Sequence, residues 1–232
     1  MKADHYDSFA LNYSTDNESN LINAHYERPA MLALAGDVNG HRVLDAGCGS
    51  GPLAEALWTR GAVITAFDSS PAMVELARQR LGQDATLHVA DLTKPLPFAD
   101  GEFDDVVASL VLHYFRDWAE PLTELRRVLK QRGRLILSVN HPIVYRVVNP
   151  KADYFAITQH TEEHTFNGQT TKLTYWHHPL HAMTDAFSQA GFRVSVISEP
   201  PFSTETPRDL LPPNPRDQTA FLCFIFFVLE AR

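Results

Sequence analysis

The chain has 232 residues, of which 44% are hydrophobic, and its formal net charge is −8 at pH 7. This length and apolar content argue against global disorder and fit one large α/β domain or two small ones. The acidic balance argues against nucleic-acid binding through a general basic face. The one dense basic run, within residues 126–134, is interpreted as the solvated end of a helix.

The cysteines, the N-terminal segment and the longest apolar run indicate the cellular compartment. Cys48 and Cys223 are far apart, in a glycine turn and in an apolar run, which is typical of reduced thiols in a cytosolic protein. Residues 1–20 are polar and lack the apolar core of a signal peptide. The apolar run 220–229 is too short to span a bilayer. The sequence therefore predicts a cytoplasmic protein without a membrane partner.

The first part of the chain alternates between predicted strands and helices. The strands are expected at residues 43–44, 62–67, 85–89, 103–109 and 134–139. The helices between them begin at Pro52, Pro71 and Pro121, because proline suits the first turn of a helix, and they end at glycines. This repeated alternation predicts a parallel sheet with helices on both faces.

The pattern changes after the fifth strand. About 40 residues separate that strand from the next predicted helix at 180–190, which is far longer than an ordinary connection. Within this segment Asn167-Gly168 lies between β-prone runs at 162–166 and 171–176, and this predicts a hairpin. A strand at 192–198, a proline-rich segment at 199–218 and a last strand at 221–229 follow.

Two long segments are expected to follow the C-terminal ends of strands. One is the segment of about 40 residues after the fifth strand, and the other is the proline-rich segment at 199–218. The glycine turn lies at the same edge, which is where open α/β sheets bind ligands. We therefore divide a single domain into four parts. These are an N-terminal helical cap (1–40), a cofactor-binding core (41–140), a substrate-lid insertion (141–179), and a C-terminal helix and strand pair (180–232).

The most informative motif is VLDAGCGSG at residues 43–51. A short buried strand runs into a glycine-rich turn and a helix opens at Pro52, so a ligand can meet bare backbone at a helix N-terminus. Asp68, at the end of the second strand, is placed to accept hydrogen bonds from both hydroxyls of a ribose. Pro52 stands where a dinucleotide-binding turn has its third glycine, and no Gly-Lys-Ser or Gly-Lys-Thr of a P-loop follows.

Four motifs in order resemble the class I S-adenosylmethionine-dependent methyltransferases, in the branch of ubiquinone/menaquinone-biosynthesis-type and related small-molecule enzymes. The first is the glycine motif, and the others are AFDSSPAMVELAR (66–78), HVADLTKPLPFADGEFDDVV (88–107) and LKQRGRLILSV (129–139). The resemblance implies a Rossmann-like sheet of seven mostly parallel strands, the last antiparallel, with helices on both faces and a hairpin-containing insertion after the fifth strand. It also implies S-adenosyl-L-methionine as the cofactor.

The resemblance further implies a role for each matching residue. The backbone of Gly47, Cys48 and Gly49 would meet the methionine part, and Asp45 would orient it through the amino group. Asp68 would hold the ribose. The remaining contacts would be Ser69 and Met73 beside the adenine, Asp91 and Leu92 at its amino edge, Ser109 and Leu110 near the methyl group, and Tyr13, or alternatively Tyr6, on the carboxylate.

Transfer of a sulfonium methyl is an in-line displacement, so the protein must mainly align the nucleophile and exclude water. A base helps when the acceptor is a hydroxyl or an ammonium. His113 and His141, which follow the fourth and fifth strands, are the candidate catalytic residues, although each could only pack or contact the cofactor. Tyr154, Trp176 and His178 are expected to form an acceptor wall, with at most one of the adjacent histidines 177 and 178 facing inward.

These patterns predict methyl transfer to an oxygen or nitrogen of a small molecule. The alternatives are a non-catalytic S-adenosylmethionine-binding or regulatory protein of the same fold, and a nicotinamide-dependent oxidoreductase, which Pro52 disfavours. No metal site is expected, because no zinc-ligand spacing occurs and Asp104-Asp105 begins the fourth strand at the wrong edge. No nucleic-acid partner is expected, and a monomer and a homodimer both remain open.

Overall fold

The computed structural model describes residues 4–83, 85–211 and 222–232. Its main sheet has seven strands in the order β3-β2-β1-β4-β5-β9-β8. These are β1 (Arg42–Ala46), β2 (Val63–Asp68), β3 (Thr86–Val89), β4 (Phe103–Ser109), β5 (Leu129–Asn140), β8 (Phe192–Ser198) and β9 (Phe224–Ala231). Strand β9 is antiparallel to both of its neighbours, and the pairs among β1–β5 are all parallel. The predicted fold class is confirmed.

Helices cover both faces of this sheet and its C-terminal edge. They are α1 (Asp4–Asp7), α2 (Ala10–Asn17), α3 (Arg28–Ala35), α4 (Pro52–Thr59), α5 (Pro71–Leu81), α6 (Ala119–Val128), α7 (Pro142–Val148) and α8 (Leu180–Gln189). A π-helical turn, Asn23–Glu27, runs directly into α3. The antiparallel hairpin of β6 (Thr158–Phe166) and β7 (Gln169–His177) forms a separate small sheet. Asn167 and Gly168 at its turn both have positive φ, as a two-residue hairpin turn requires.

The core divides into two layers because successive strand residues point to opposite faces. Leu44, Val106 and Leu137 face α6 and α8, where they pack with Leu122 and Phe187. Their chain neighbours Val43, Val107 and Ile136 face the other way and pack with Met31 of α3 and Leu57 of α4. Both faces of the central strands are therefore buried, which explains why the strands read as continuous apolar runs.

Strand β5 begins earlier than the sequence predicted. Helix α6 ends at Val128, and Gly133 lies inside the strand instead of stopping the helix. The pairing steps from Phe103–Leu129 to Asp105–Arg134, so extra residues bulge out of the strand, and Arg132 has a φ of 63° there. This bulge was misread as a helix end because glycine marks both features.

Helix α7 was missed in the predicted insertion. His141 is its N-cap and accepts a hydrogen bond from the Ile143 N–H at 3.1 Å, and Pro142 occupies the first turn. The hairpin is longer than predicted at both ends. Residues 212–218 of the proline-rich segment and Phe221 lie outside the described residues.

Three segments meet at the C-terminal edge of the sheet. The insertion follows β5, the proline-rich segment follows β8, and both strands run the same way because both are antiparallel to β9. The N-terminal helices dock on the hairpin through a stacked Phe9–Phe166 pair with centroids 5.8 Å apart and an Asn12–Gln169 hydrogen bond of 2.6 Å. Among the described helices, none combines the length and the apolar composition that crossing a membrane requires.

Candidate functional site

A cavity of about 440 Å³ opens at this edge, a size within the usual range for ligand sites. Its walls come from the N-terminal helices, the glycine turn, the loops after β2 to β5 and the hairpin. All of the residues predicted to bind the cofactor line it: Tyr13, Asp45, Gly47, Cys48, Gly49, Asp68, Ser69, Met73, Asp91, Leu92, Ser109 and Leu110. Of the two candidate catalytic histidines, His113 also lines it.

The glycine turn presents backbone to the cavity because a side chain would not fit. The N–H groups of Gly47 and Cys48 both donate to the Phe67 carbonyl, at 2.8 and 2.9 Å, which pins the turn against β2. Gly47 has a φ of 75°, and a Cβ there would lie 2.5 Å from a methyl of Val111. A backbone with this positive φ and so little space requires glycine.

Asp68 ties the glycine turn to the start of α5. One carboxylate oxygen accepts from the Gly49 N–H and the other from the Ser70 N–H, each at 2.9 Å. Burial raises the pKa of Asp68, and its backbone donors, beginning with the Ser70 N–H, oppose that shift. The Ser70 hydroxyl in turn caps α5 through the Met73 N–H and bonds to Asp7 of the N-terminal helix. Asp68 is thus a fixed acceptor at the cavity wall.

Asp45 is the least satisfied polar group of the cavity. Its side chain is 1% exposed, and neither carboxylate oxygen makes a hydrogen bond of normal geometry with the described residues. Burial, followed by the nearby carboxylates of Glu27 and Asp68, raises the pKa of Asp45 to about 8, and the Ala54 N–H only partly opposes this. A buried carboxylate without a partner is costly unless a cation supplies one, so this residue fits the ammonium of an amino-acid-bearing ligand.

Glu27 is a cavity residue that sequence reasoning missed. It lies in the π-helical turn, is 3% exposed, and its Oε1 accepts from the hydroxyls of Ser109 (2.7 Å) and Ser138 (2.6 Å). Burial raises the pKa of Glu27, and the two serine hydroxyls oppose that shift. The acid therefore joins the N-terminal segment to the ends of β4 and β5 beside the cavity.

Arg28 was missed as well. Among the described residues it is the only lysine or arginine that lines the cavity. Its guanidinium donates to the backbone and side-chain oxygens of Asn17, at 2.9 and 2.6 Å. Burial lowers the pKa of Arg28, but an arginine stays charged at any ordinary pH. It supplies the positive charge that a ligand carboxylate needs.

His113 is held as a neutral ring. It is 4% exposed, and burial, assisted by His160 and His178, lowers its pKa to about 3. The backbone N–H of Asn140 donates to its Nδ1 at 3.2 Å. Since Nδ1 is thereby an acceptor, the ring hydrogen is on Nε2. His113 can donate a hydrogen bond to a ligand, but it is a poor proton acceptor.

A cluster of aromatic side chains, the aromatic wall, lines part of the cavity. It consists of Tyr6, Tyr13, Tyr114, Phe166 and Tyr175, with neighbouring ring centroids 5.1 to 6.2 Å apart. Burial raises the pKa of each of the four tyrosines, to about 12 for Tyr13, so they are neutral phenols. The Tyr6 and Tyr114 hydroxyls bond to each other.

Glu162 and His164, two polar residues of the hairpin, line the same cavity as this wall. The Tyr175 hydroxyl bonds to His164 Nε2 at 3.1 Å. Glu162 lies 3.3 Å from His160 Nε2 and 3.6 Å from His164 Nε2. The hydrogen bond with His160 lowers the pKa of Glu162, so this acid is charged at neutral pH.

The other predicted site residues lie outside the cavity lining. The His141 ring caps α7 and bonds to Glu199. The Tyr154 carbonyl accepts from His177 at 2.8 Å and its hydroxyl accepts from the Leu180 N–H. His178 donates to the Arg116 carbonyl at 3.0 Å and stacks near Trp118, and the Trp176 ring lies under the Arg116 guanidinium. His177 and His178 are both buried, and neither of them lines the cavity. The alternation of side chains along the chain therefore does not bring either histidine to the cavity.

Neither the cavity nor β4 offers a metal site in the part of the chain that the structure describes, where no group of three potential ligands comes together. Asp105 is engaged instead by Arg134 and His41, and Asp104 by Lys130. Both aspartates lie at the start of β4, away from the cavity edge of the sheet.

Comparisons with known proteins agree with this geometry. A family model described as a methyltransferase domain matches residues 44–137. The magnesium-protoporphyrin O-methyltransferase of Rhodobacter capsulatus is 36% identical over 132 residues, which cover 55% of this chain and 54% of that protein. The demethylmenaquinone methyltransferase of Thermotoga maritima is 38% identical over 112 residues, covering 47% and 48%. The chain spans about half the length of these curated relatives.

Solved structures share the fold over nearly the whole chain. An S-adenosylmethionine-dependent methyltransferase from Mesorhizobium loti has a TM-score of 0.66 at 22% identity, covering 87% of this chain and 96% of that one. The magnesium protoporphyrin IX methyltransferase of Synechocystis PCC 6803, solved with bound SAM, has a TM-score of 0.65 at 19% identity, covering 99% and 95%. The motif order, the sheet topology and the matched model agree: residues 44–137 are similar to a methyltransferase domain, and the chain has the fold of the S-adenosylmethionine-dependent methyltransferases whose structures are solved.

Proposed function

We propose that the protein transfers a methyl group from S-adenosyl-L-methionine to an oxygen or nitrogen atom of a small molecule. The observation that carries this proposal is Asp45, a buried carboxylate without a partner, in the same cavity wall as the glycine turn and Asp68. That set fits a ligand that carries both an ammonium and a ribose. The aromatic rings of Tyr6, Tyr13, Tyr114, Phe166 and Tyr175 line the same cavity, and the acceptor would lie against them.

Each end of the cofactor has suitable partners in this arrangement. The backbone of Gly47 to Gly49 would contact the methionine part, Asp68 the ribose hydroxyls, and Asp45 the ammonium. Arg28, with Tyr13, would hold the carboxylate. Ser69, Met73, Asp91 and Leu92 also line the cavity, and the adenine would lie beside them.

When bound, the cofactor supplies a methyl group that is already activated for displacement. The chain then has to orient the acceptor and keep water out, which accounts for a cavity closed by the hairpin and the N-terminal helices. The neutral His113 can donate a hydrogen bond from Nε2 to a lone pair of the acceptor molecule and so hold that molecule in place. Glu27 fixes Ser109 at the end of β4, beside the predicted position of the methyl group. We propose the insertion 141–179 as the substrate lid.

Binding of S-adenosylhomocysteine at pH 7 is expected to release close to one proton per site. Asp45, with a pKa of about 8, is mostly protonated in the free protein, and a bound ammonium favours its carboxylate form. Affinity should therefore rise as the pH increases toward 8 and then level off. Calorimetry in two buffers of different ionisation enthalpy measures the protons released. Asp45→Asn, which keeps the shape but cannot titrate, should abolish most of the release, and an unchanged release in this variant would contradict the assignment.

His113→Ala is expected to lower kcat/KM about 10- to 100-fold, since one oriented contact to the acceptor is lost. Its affinity for S-adenosylhomocysteine should stay within about threefold of the unsubstituted protein, because His113 would contact the acceptor and not the cofactor. The rate should show no step near pH 6.5 from this ring, since burial lowers the pKa of His113 to about 3. His141→Ala is the matched control, and it should change kcat/KM less because the His141 ring is bonded to Glu199 outside the cavity. A larger loss in His141→Ala than in His113→Ala would reverse these roles.

Two measurements test the proposed function itself. Calorimetry with S-adenosylhomocysteine tests the cofactor site, and failure to bind at millimolar concentration would refute it. Formation of S-adenosylhomocysteine from the cofactor with a panel of phenols, alcohols, carboxylic acids and amines then tests catalysis. Tight binding without turnover on any acceptor would favour the alternative, a non-catalytic cofactor-binding protein.

A further inference from the structure

The acidic and basic side chains around the cavity are mostly acids. Those among the described lining residues are Asp16, Glu27, Asp45, Asp68, Asp91 and Glu162, against the single cation Arg28. The cofactor accounts for Asp45, Asp68 and Asp91 in the proposed function, and its carboxylate accounts for Arg28. Asp16, Glu27 and Glu162 then remain, without a lysine or arginine among the described lining residues to balance them.

The aromatic wall adds a second preference for positive charge. The faces of tyrosine and phenylalanine rings attract cations, most strongly where water is excluded. Between ring centroids, Tyr114 lies 5.3 Å from Tyr175, and Tyr13 lies 5.1 Å from Phe166. Tyr6 joins these pairs, at 6.2 Å from Tyr114 and 5.3 Å from Tyr13, so the rings form one continuous surface. Their phenols are neutral and supply hydroxyl oxygens as acceptors. This surface offers an ammonium several ring faces and hydroxyl oxygens, whereas the only groups it offers an anion are uncharged phenol hydroxyls.

We propose that the acceptor is an amine, bound as its ammonium by the aromatic wall and Glu162 and methylated on nitrogen. This rests on the proposed function and narrows it from oxygen or nitrogen to nitrogen. The same charges disfavour carboxylates and phosphates as acceptor groups. An acidic, low-dielectric cavity also raises the local concentration of cationic substrates.

The arrangement includes a path for the proton that an ammonium must lose. The Tyr175 hydroxyl accepts this proton and passes its own to His164 Nε2, 3.1 Å away, and the side chain of His164, which is 32% exposed, exchanges it with solvent. The freed lone pair of nitrogen forms the N–C bond to the methyl group. The C–S bond breaks with its electron pair left on sulfur, which becomes a neutral thioether.

Three probes of nearly identical shape test the charge preference directly: choline, 3,3-dimethylbutan-1-ol and 3,3-dimethylbutanoate, which are cationic, neutral and anionic. Their dissociation constants are measured on the protein saturated with S-adenosylhomocysteine. Choline should bind at least about fivefold more tightly than the alcohol, a ratio expected for a cation on a partly desolvated aromatic surface. The butanoate should bind most weakly. Equal affinities, a preference for the butanoate, or undetectable choline binding would each overturn the proposal.

Variants separate the contribution of the Tyr175 ring to the preference for a cation from the contribution of the Glu162 charge. Tyr175→Phe keeps the ring and should keep most of the choline-to-alcohol ratio, whereas Tyr175→Leu should reduce it severalfold. Glu162 is half exposed, so Glu162→Gln tests the charge without disturbing the core and should also lower the ratio. A ratio unchanged in both Tyr175→Leu and Glu162→Gln would refute the assigned residues. Failure of the proposed function is a distinct result, because S-adenosylhomocysteine itself would then not bind.

Discussion

Asp68→Ala is expected to weaken binding of S-adenosylhomocysteine by about 10²- to 10³-fold. The carboxylate would bond two sugar hydroxyls, and each charge-assisted hydrogen bond is worth roughly 1.5–3 kcal/mol. It also holds the Gly49 and Ser70 N–H groups, so its loss frees the glycine turn and the start of α5 together. Calorimetric titration of both proteins measures the change.

Asp91→Asn is the matched control for this substitution. Asp91 lines the same cavity, but one of its oxygens is already bonded to the backbone and hydroxyl of Thr93, at 2.9 and 2.8 Å. An amide oxygen can keep those bonds, so the loss of affinity should stay below about tenfold. If Asp68→Ala, with an unchanged circular dichroism spectrum, bound within tenfold of the unsubstituted protein, Asp68 would not be the sugar-binding residue.

Asp105→Ala is expected to lower the free energy of unfolding by about 3 kcal/mol, because removing one partner of a buried ion pair leaves the other partner without compensation. Asp105 is 2% exposed and accepts from Arg134 at 2.6 and 2.8 Å and from His41 at 2.7 Å. The Arg134 side chain is 31% exposed and can recover some hydration, so the effect lies at the lower end for such pairs. Urea denaturation monitored by fluorescence gives the difference.

The adjacent residue, Asp104, provides the comparison for the stability loss expected in Asp105→Ala. Asp104 bonds to Lys130 and to the Arg42 N–H, but its side chain and that of Lys130 are 30% and 46% exposed. Asp104→Ala should therefore cost about 1 kcal/mol or less, since exposed ion pairs contribute little. Equal losses from the two substitutions would show that burial does not determine the contribution of these carboxylates.

Several predictions that were made from short stretches of consecutive residues agree with the structure. Strands β4 and β8 have the predicted bounds, and the Asn167-Gly168 turn is where the hairpin reverses. All of the predicted cofactor contacts line one cavity. The end of α6 was wrong, because Gly133 reads equally as a helix end and as a strand bulge until its pairing with β4 is known.

The sequence by itself determined the Rossmann-like sheet and the glycine-turn side of the cavity. Every residue predicted to bind the cofactor, except Tyr13, lies on a strand, in the turn after it or on the next helix. Only the tertiary structure decided the rest. Glu27 and Arg28 come from an N-terminal segment with no motif, and they reach the cavity because that segment docks across β4 and β5. His113 rather than His141 lines the cavity because long-range packing, which no local pattern records, sets the direction of each ring.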